Sequence, residues 1–200
     1  MRTTTVWPPA ARDHVGLVRG YEVVLGWALI VGGQSVSSAS RAAQEMARDE
    51  NLRLRTMCSA FDAISLPRAA GTDALLRLDR RDLSAPSLIS ADRVTLLVTA
   101  GTGTRLRDLP GVEVAFGSNA WLALPPSAGV RWDTVPWSTS SPDPLELPDG
   151  MMVRGSLADG LRLYGQSAAH HTSPPLSTPT LTNRSAAART QATGARQARR

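Results

Sequence analysis

Two acids stand among apolar neighbours: Asp62 between Phe61 and Ala63, and Glu113 between Val112 and Val114. A carboxylate in such a place needs a partner or a cation, because an ionised group removed from water carries a heavy solvation cost. Two acids on neighbouring strands hold one Mg2+ together with phosphate oxygens, and that is the chemistry of phosphoryl and nucleotidyl transfer. The competing assignment for each is a strand residue facing water.

The run Gly101-Thr102-Gly103-Thr104-Arg105 offers backbone amides to an anion, with Arg105 and Arg107 beside it. It lacks the lysine and spacing of a P-loop, so a plain turn between strands is the favoured reading of it. Imidazole chemistry is absent from the body of the chain, since Tyr21 to Tyr164 contains no histidine. His14 stands near the start, and His170-His171 has no thiol or carboxylate nearby. Cys58 is alone, which excludes an internal disulfide and any multi-cysteine zinc site. With no base near it, it reads as a small buried apolar residue, and a reducing, cytoplasmic setting is expected. Trp121, Trp132 and Trp137 flank Pro125-Pro126 and serve either as packing anchors or as stacking platforms for a base.

Charge is divided unevenly. The formal excess of +5 comes entirely from Arg184, Arg189, Arg196, Arg199 and Arg200, so the chain up to Gly165 is formally neutral. A neutral body has no long-range attraction for phosphates, whereas the tail attracts any polyanion weakly. Every basic side chain is arginine, consistent with GC-rich codon usage. The apolar run Val23 to Val31 is too short to span a membrane, and Asp13 and Glu22 count against a secretion signal.

The elements expected to position these residues form one α+β domain over residues 20–165. Residues 1–19 read as a flexible leader, and 166–200, with few large apolar side chains, as a disordered arginine-containing tail. Tyr21 to Val31 predicts a buried strand, and Ser35 to Ser38 offers caps for a helix reaching about Asn51. Leu52 to Thr56 and Phe61 to Leu66 predict two strands, followed by a helix capped at Thr72 or Asp73. Pro86–Ile89 and Val94–Thr99 are strand-like. Val112–Phe116 and Ala120–Leu124 predict a hairpin around Gly117-Ser118-Asn119, and Val130–Val135 predicts a further strand. A closing helix is expected over Met151–Tyr164, started by Ser156.

Three stretches carry a family resemblance. They are Met57-Cys58-Ser59-Ala60-Phe61-Asp62-Ala63-Ile64-Ser65-Leu66-Pro67, the strand Arg93-Val94-Thr95-Leu96-Leu97-Val98, and Pro110-Gly111-Val112-Glu113-Val114 followed by Trp121-Leu122-Ala123-Leu124-Pro125-Pro126-Ser127 and Arg131-Trp132. In order and spacing they resemble the N-terminal domain of bifunctional DNA primase/polymerases, in the short stand-alone form found in actinobacteria, over roughly residues 21 to 137. The resemblance implies an archaeo-eukaryotic primase fold, a mostly antiparallel sheet packed with a few helices, and a role in DNA replication. It also implies paired acids on one strand and a third acid on a later strand that together bind two metals, with a histidine between them that contacts the incoming nucleotide. Asp62 falls in the first motif and Ser65 stands where its companion acid belongs. Thr95 and Leu96 replace the histidine, and Glu113 matches the third acid. The implied site is thus degenerate: Asp62 and Glu113 are the remaining candidate catalytic and Mg2+-binding residues. Arg93, Arg105, Arg107, Arg131 and Trp121 are candidate contacts to a nucleotide or nucleic acid. An active polymerase working through Asp62 and Glu113, and a scaffold that uses the fold to meet a protein partner, are the alternatives.

Overall fold

The computed structural model describes residues 7–171, with side chains through Gly165. The α+β expectation holds: one seven-stranded, antiparallel sheet is packed with helices. Its strands are β1 (Leu29–Val31), β2 (Gln34–Ser35), β3 (Leu54–Pro67), β4 (Ser87–Ile89), β5 (Arg93–Thr99), β6 (Glu113–Leu124) and β7 (Arg131–Thr134). The order is β2-β1-β3-β5-β4-β7, and β6 also pairs with β3. Leu54–Thr56 pairs with both β1 and β6, and Ala63–Ser65 with both β5 and β6, so β6 occupies the whole second edge of β3.

The two strands expected between Leu52 and Leu66 are one long strand with an irregularity. Ser59 and Ala60 are both exposed, and the inward face changes there by one residue. Leu54 and Cys58 therefore share a core with Phe61 and Ala63. The expected hairpin is likewise absent, because Glu113–Leu124 runs as a single strand along β3. Gly117 does adopt a left-handed φ of 75°, but the glycine serves an irregularity opposite Cys58 and not a chain reversal. The shifts in the two strands compensate, and pairing resumes in step at Ala63 and Ala115.

The N-terminal expectations need two corrections. Residues 7–19 are not a loose leader. Asp13 caps α1 (His14–Arg19) by accepting the Gly16 N–H at 2.8 Å, and Leu17 and Val18 are buried. Nor is Tyr21 to Val31 one strand: a π-helical turn, Gly20–Val24, precedes β1, with Gly26 at a φ of 64° between them. A continuous apolar run has no periodicity to separate a buried strand from a buried helical turn. Tyr21 is fully buried, stacks on Trp27 at 5.9 Å and accepts the Trp132 Nε1–H at 2.7 Å.

The remaining helices are α2 (Ala39–Arg48), capped by Ser38, α3 (Arg68–Asp79) and α4 (Gly150–His171). α3 starts earlier than its expected cap, whereas α4 starts at Gly150, one residue from the expected Met151, and not at Ser156. Pro67 ends β3 and leads directly into α3; Thr72 is inside the helix and donates to the Arg68 carbonyl, while Asp73 pairs with Arg77. Ser156 is buried within α4, whose first turn is instead capped by the Asp149 carboxylate accepting the Met151 N–H. α4 also carries helix into the first residues expected to be tail, through His171; residues 172–200 lie outside the described residues.

Two cores result. On one face of the sheet α3 and α4 cover Ile64, Leu66, Val94, Leu96 and Val98. Gly71 lets α3 settle against β5, since a Cβ there would lie 2.4 Å from that of Val94. On the other face the N-terminal segment, α2 and Trp137 cover Phe61, Ala63, Leu88 and Leu97. No helix among the described residues is long and apolar enough to cross a membrane.

Candidate functional site

Asp62 belongs to the face covered by α3 and α4, as do Ile64 and Leu66, which follow it at steps of two. It is 2 % exposed, and its Oδ2 accepts the backbone N–H of Gly103 at 2.8 Å. Gly103 opens a 3-10 turn, Gly103–Leu106, whose Leu106 enters the core beneath α4. The glycine is required because an added Cβ would lie 2.8 Å from that of Asp62. The loop read as a possible phosphate cradle therefore spends this amide on the protein's own carboxylate.

Glu113 is on the opposite face. It pairs directly with Ser65 across β3 and β6, and directly opposed residues of an antiparallel pair project to the same side. Ser65 stands three positions from Asp62 in a regular stretch of strand, so the two project to different sides. The expectation that Asp62 and Glu113 hold one Mg2+ is thus corrected: the sheet lies between them. Among the described residues no group of three or more His, Cys, Asp or Glu is placed to hold a metal ion.

A different set does converge. Ser65 Oγ and Thr95 Oγ1 share a hydrogen bond at 2.7 Å, as their direct pairing on β3 and β5 requires. Arg93, two residues before Thr95 and mostly buried, donates through Nη2 to the Ser65 carbonyl at 2.9 Å. Its Nη1 meets Glu113 Oε1 at 3.0 Å, while its Nε is buried without a partner. The cluster thus combines two hydroxyls, one guanidinium and one largely exposed carboxylate that the guanidinium already neutralises. It contains no imidazole base and no second acid with which to hold a divalent ion.

The other expected contacts do not gather around it. Arg107 lies over the Phe116 ring at 4.5 Å, and the exposed Arg105 is on the 3-10 turn. Arg131 is exposed on β7, the far edge strand of the sheet. Trp121 is 42 % exposed and projects away from the core entered by its neighbours Ala120 and Leu122. It lines a groove of about 440 Å3 with Arg53 and Arg55, two residues that the sequence reading left out. Their signal was the alternation Leu52-Arg53-Leu54-Arg55-Thr56, which identified a half-buried strand but not what its outer side was for.

Cys58 is buried, as expected from the lack of a base beside it. Burial pushes its thiol up to about 11, and the charge of Asp62 adds to the rise, so at neutral pH it is no nucleophile. In comparisons with known proteins, no family model, no curated protein and no solved structure matches this chain.

Proposed function

We propose that this chain is a primase/polymerase-like domain that has lost nucleotidyl transfer and retains a ligand-binding role. The observation that carries the proposal is the convergence of Ser65, Thr95 and Glu113 with Arg93 on one side of the sheet. Those are three positions at which the resemblance puts a companion acid, the histidine and the third acid. Polymerisation needs two metals to stabilise the attacking hydroxyl and the leaving pyrophosphate. A single carboxylate paired to an arginine supplies neither ion with a cage, and Asp62 faces the wrong way to help.

Primer extension with Mg2+ or Mn2+ is expected to stay at background for the wild type and for Glu113→Ala. Extension by the wild type that disappears in Glu113→Ala would restore the enzyme alternative. A constructive arm tests the positions themselves. The double variant Ser65→Asp, Thr95→His is expected to bind Mn2+ measurably by calorimetry where the wild type does not, and to lose that binding when Glu113→Ala is added. A rebuilt set that binds no metal would remove support for the counterpart positions and with them the family reading.

A further inference from the structure

The helices that cover one face of the sheet stop short of its β1 end. There, on the same side as Asp62 but beyond the irregularity at Ser59–Ala60, Ile30 pairs with Arg55 and Arg55 with Ala123, while Trp121 opposes Met57. Side chains from three adjacent strands thus form an open floor, closed at one end by Asn51 and Leu52. The groove holds about 440 Å3, within the range of small-molecule sites.

Its chemistry is one-sided. Two guanidiniums line it and no carboxylate does. Arg53 donates to the Ala128 carbonyl, which fixes its stem along the rim. Arg55 has no hydrogen-bond or ion-pair partner among the described residues, although the body as a whole carries equal numbers of acids and arginines. The acids just before it in the chain are Asp49, which the Asn51 backbone and side-chain amides engage through one oxygen, and Glu50, which is exposed and makes no ion pair with Arg55. Beside this unpaired cation stands an indole with 42 % of its surface in water, where the other tryptophans are more covered. A flat aromatic face next to an unneutralised guanidinium complements a ligand that is itself a flat ring carrying an anion.

The geometry points to a nucleotide site: a base stacks on Trp121 and its phosphate meets Arg55, with Ile30 and Leu52 beneath. The nucleotide is either free or part of a single strand, and the test separates these sources. The site faces away from Glu113 and Arg93, so its failure would leave the reading of that cluster untouched, and the converse holds.

The full chain is titrated against a fluorescein-labelled short oligothymidylate at about 0.15 M salt, where exposed charges are screened beyond about 8 Å. Unlabelled dTMP and hexaglutamate serve as competitors. Trp121→Ala is expected to weaken binding roughly 5- to 150-fold, the range for loss of one base–aromatic stack. Trp121→Phe should recover most of that loss, Arg55→Ala should weaken binding about tenfold, and Arg80→Ala, at an exposed arginine elsewhere, should change nothing. Displacement by dTMP at a similar affinity assigns the site to free nucleotide; resistance to dTMP assigns it to a strand. Binding that Trp121→Ala and Arg55→Ala leave intact, no binding of either probe, or equal displacement by hexaglutamate would each overturn the proposal. Matched melting midpoints for all variants exclude misfolding as the cause.

Discussion

Taking the carboxylate from Asp62 leaves the Gly103 N–H without its acceptor inside a closed core, and a stranded buried donor costs about 1–3 kcal/mol. Glu113 has 73 % of its side chain in water, so removing it breaks only a screened ion pair, within about 0.5 kcal/mol. Asp62→Ala is therefore expected to lower the urea midpoint clearly and Glu113→Ala hardly at all, with Asp62→Asn in between because its amide oxygen still accepts. Equal small effects from the two alanine variants would contradict the buried, structural role of Asp62. Sequence had identified Asp62 correctly as an acid needing a partner. It could not say that the partner was a backbone amide forty-one residues on, because a hydrogen bond of that range leaves no local pattern.

The elements were legible where a cap or an alternation punctuates them. Ser38 begins α2 as its type requires, and Ser87–Ile89 and Arg93–Thr99 lie where β-branched and apolar residues cluster. They were illegible where punctuation was absent or served another end. Gly117-Ser118-Asn119 has the composition of a turn, yet it is an irregularity in β6 that only the partner strand determines. The segment before Tyr21 looked dispensable because its prolines and polar residues outnumber its apolar ones, but Leu17 and Val18 are spaced to enter one core. Leu17→Ala is accordingly expected to cost about 2–5 kcal/mol in denaturant unfolding, the usual loss for a buried leucine. A loss under about 0.5 kcal/mol would return the segment to the status of a leader.

At the scale of the whole molecule the two proposed ligand regions and the tail arginines divide the electrostatic work. The body is formally neutral, and among its arginines Arg41, Arg77, Arg93, Arg154 and Arg162 are held by carboxylates, whereas Arg55, on the floor of the groove, is not and forms a local positive feature without a surrounding field. The arginines from Arg184 onward carry the entire net charge, on a stretch with few large apolar side chains to anchor it to the body. Affinity for single-stranded DNA should therefore have two separable parts: a salt-steep part from the tail and a salt-tolerant part from stacking in the groove. Each phosphate neutralised on a single strand contributes about −0.7 to the slope of log K against log salt. Cutting the chain after His171 removes five arginines, so the slope should become shallower by up to about 3.5 while the melting midpoint stays where it was. Binding measured in the truncated protein should then depend on Trp121 and Arg55 and little on salt. A truncated chain whose salt slope equals that of the full protein would place the phosphate contacts on the body, and a midpoint several degrees lower would mean that the removed residues pack against it.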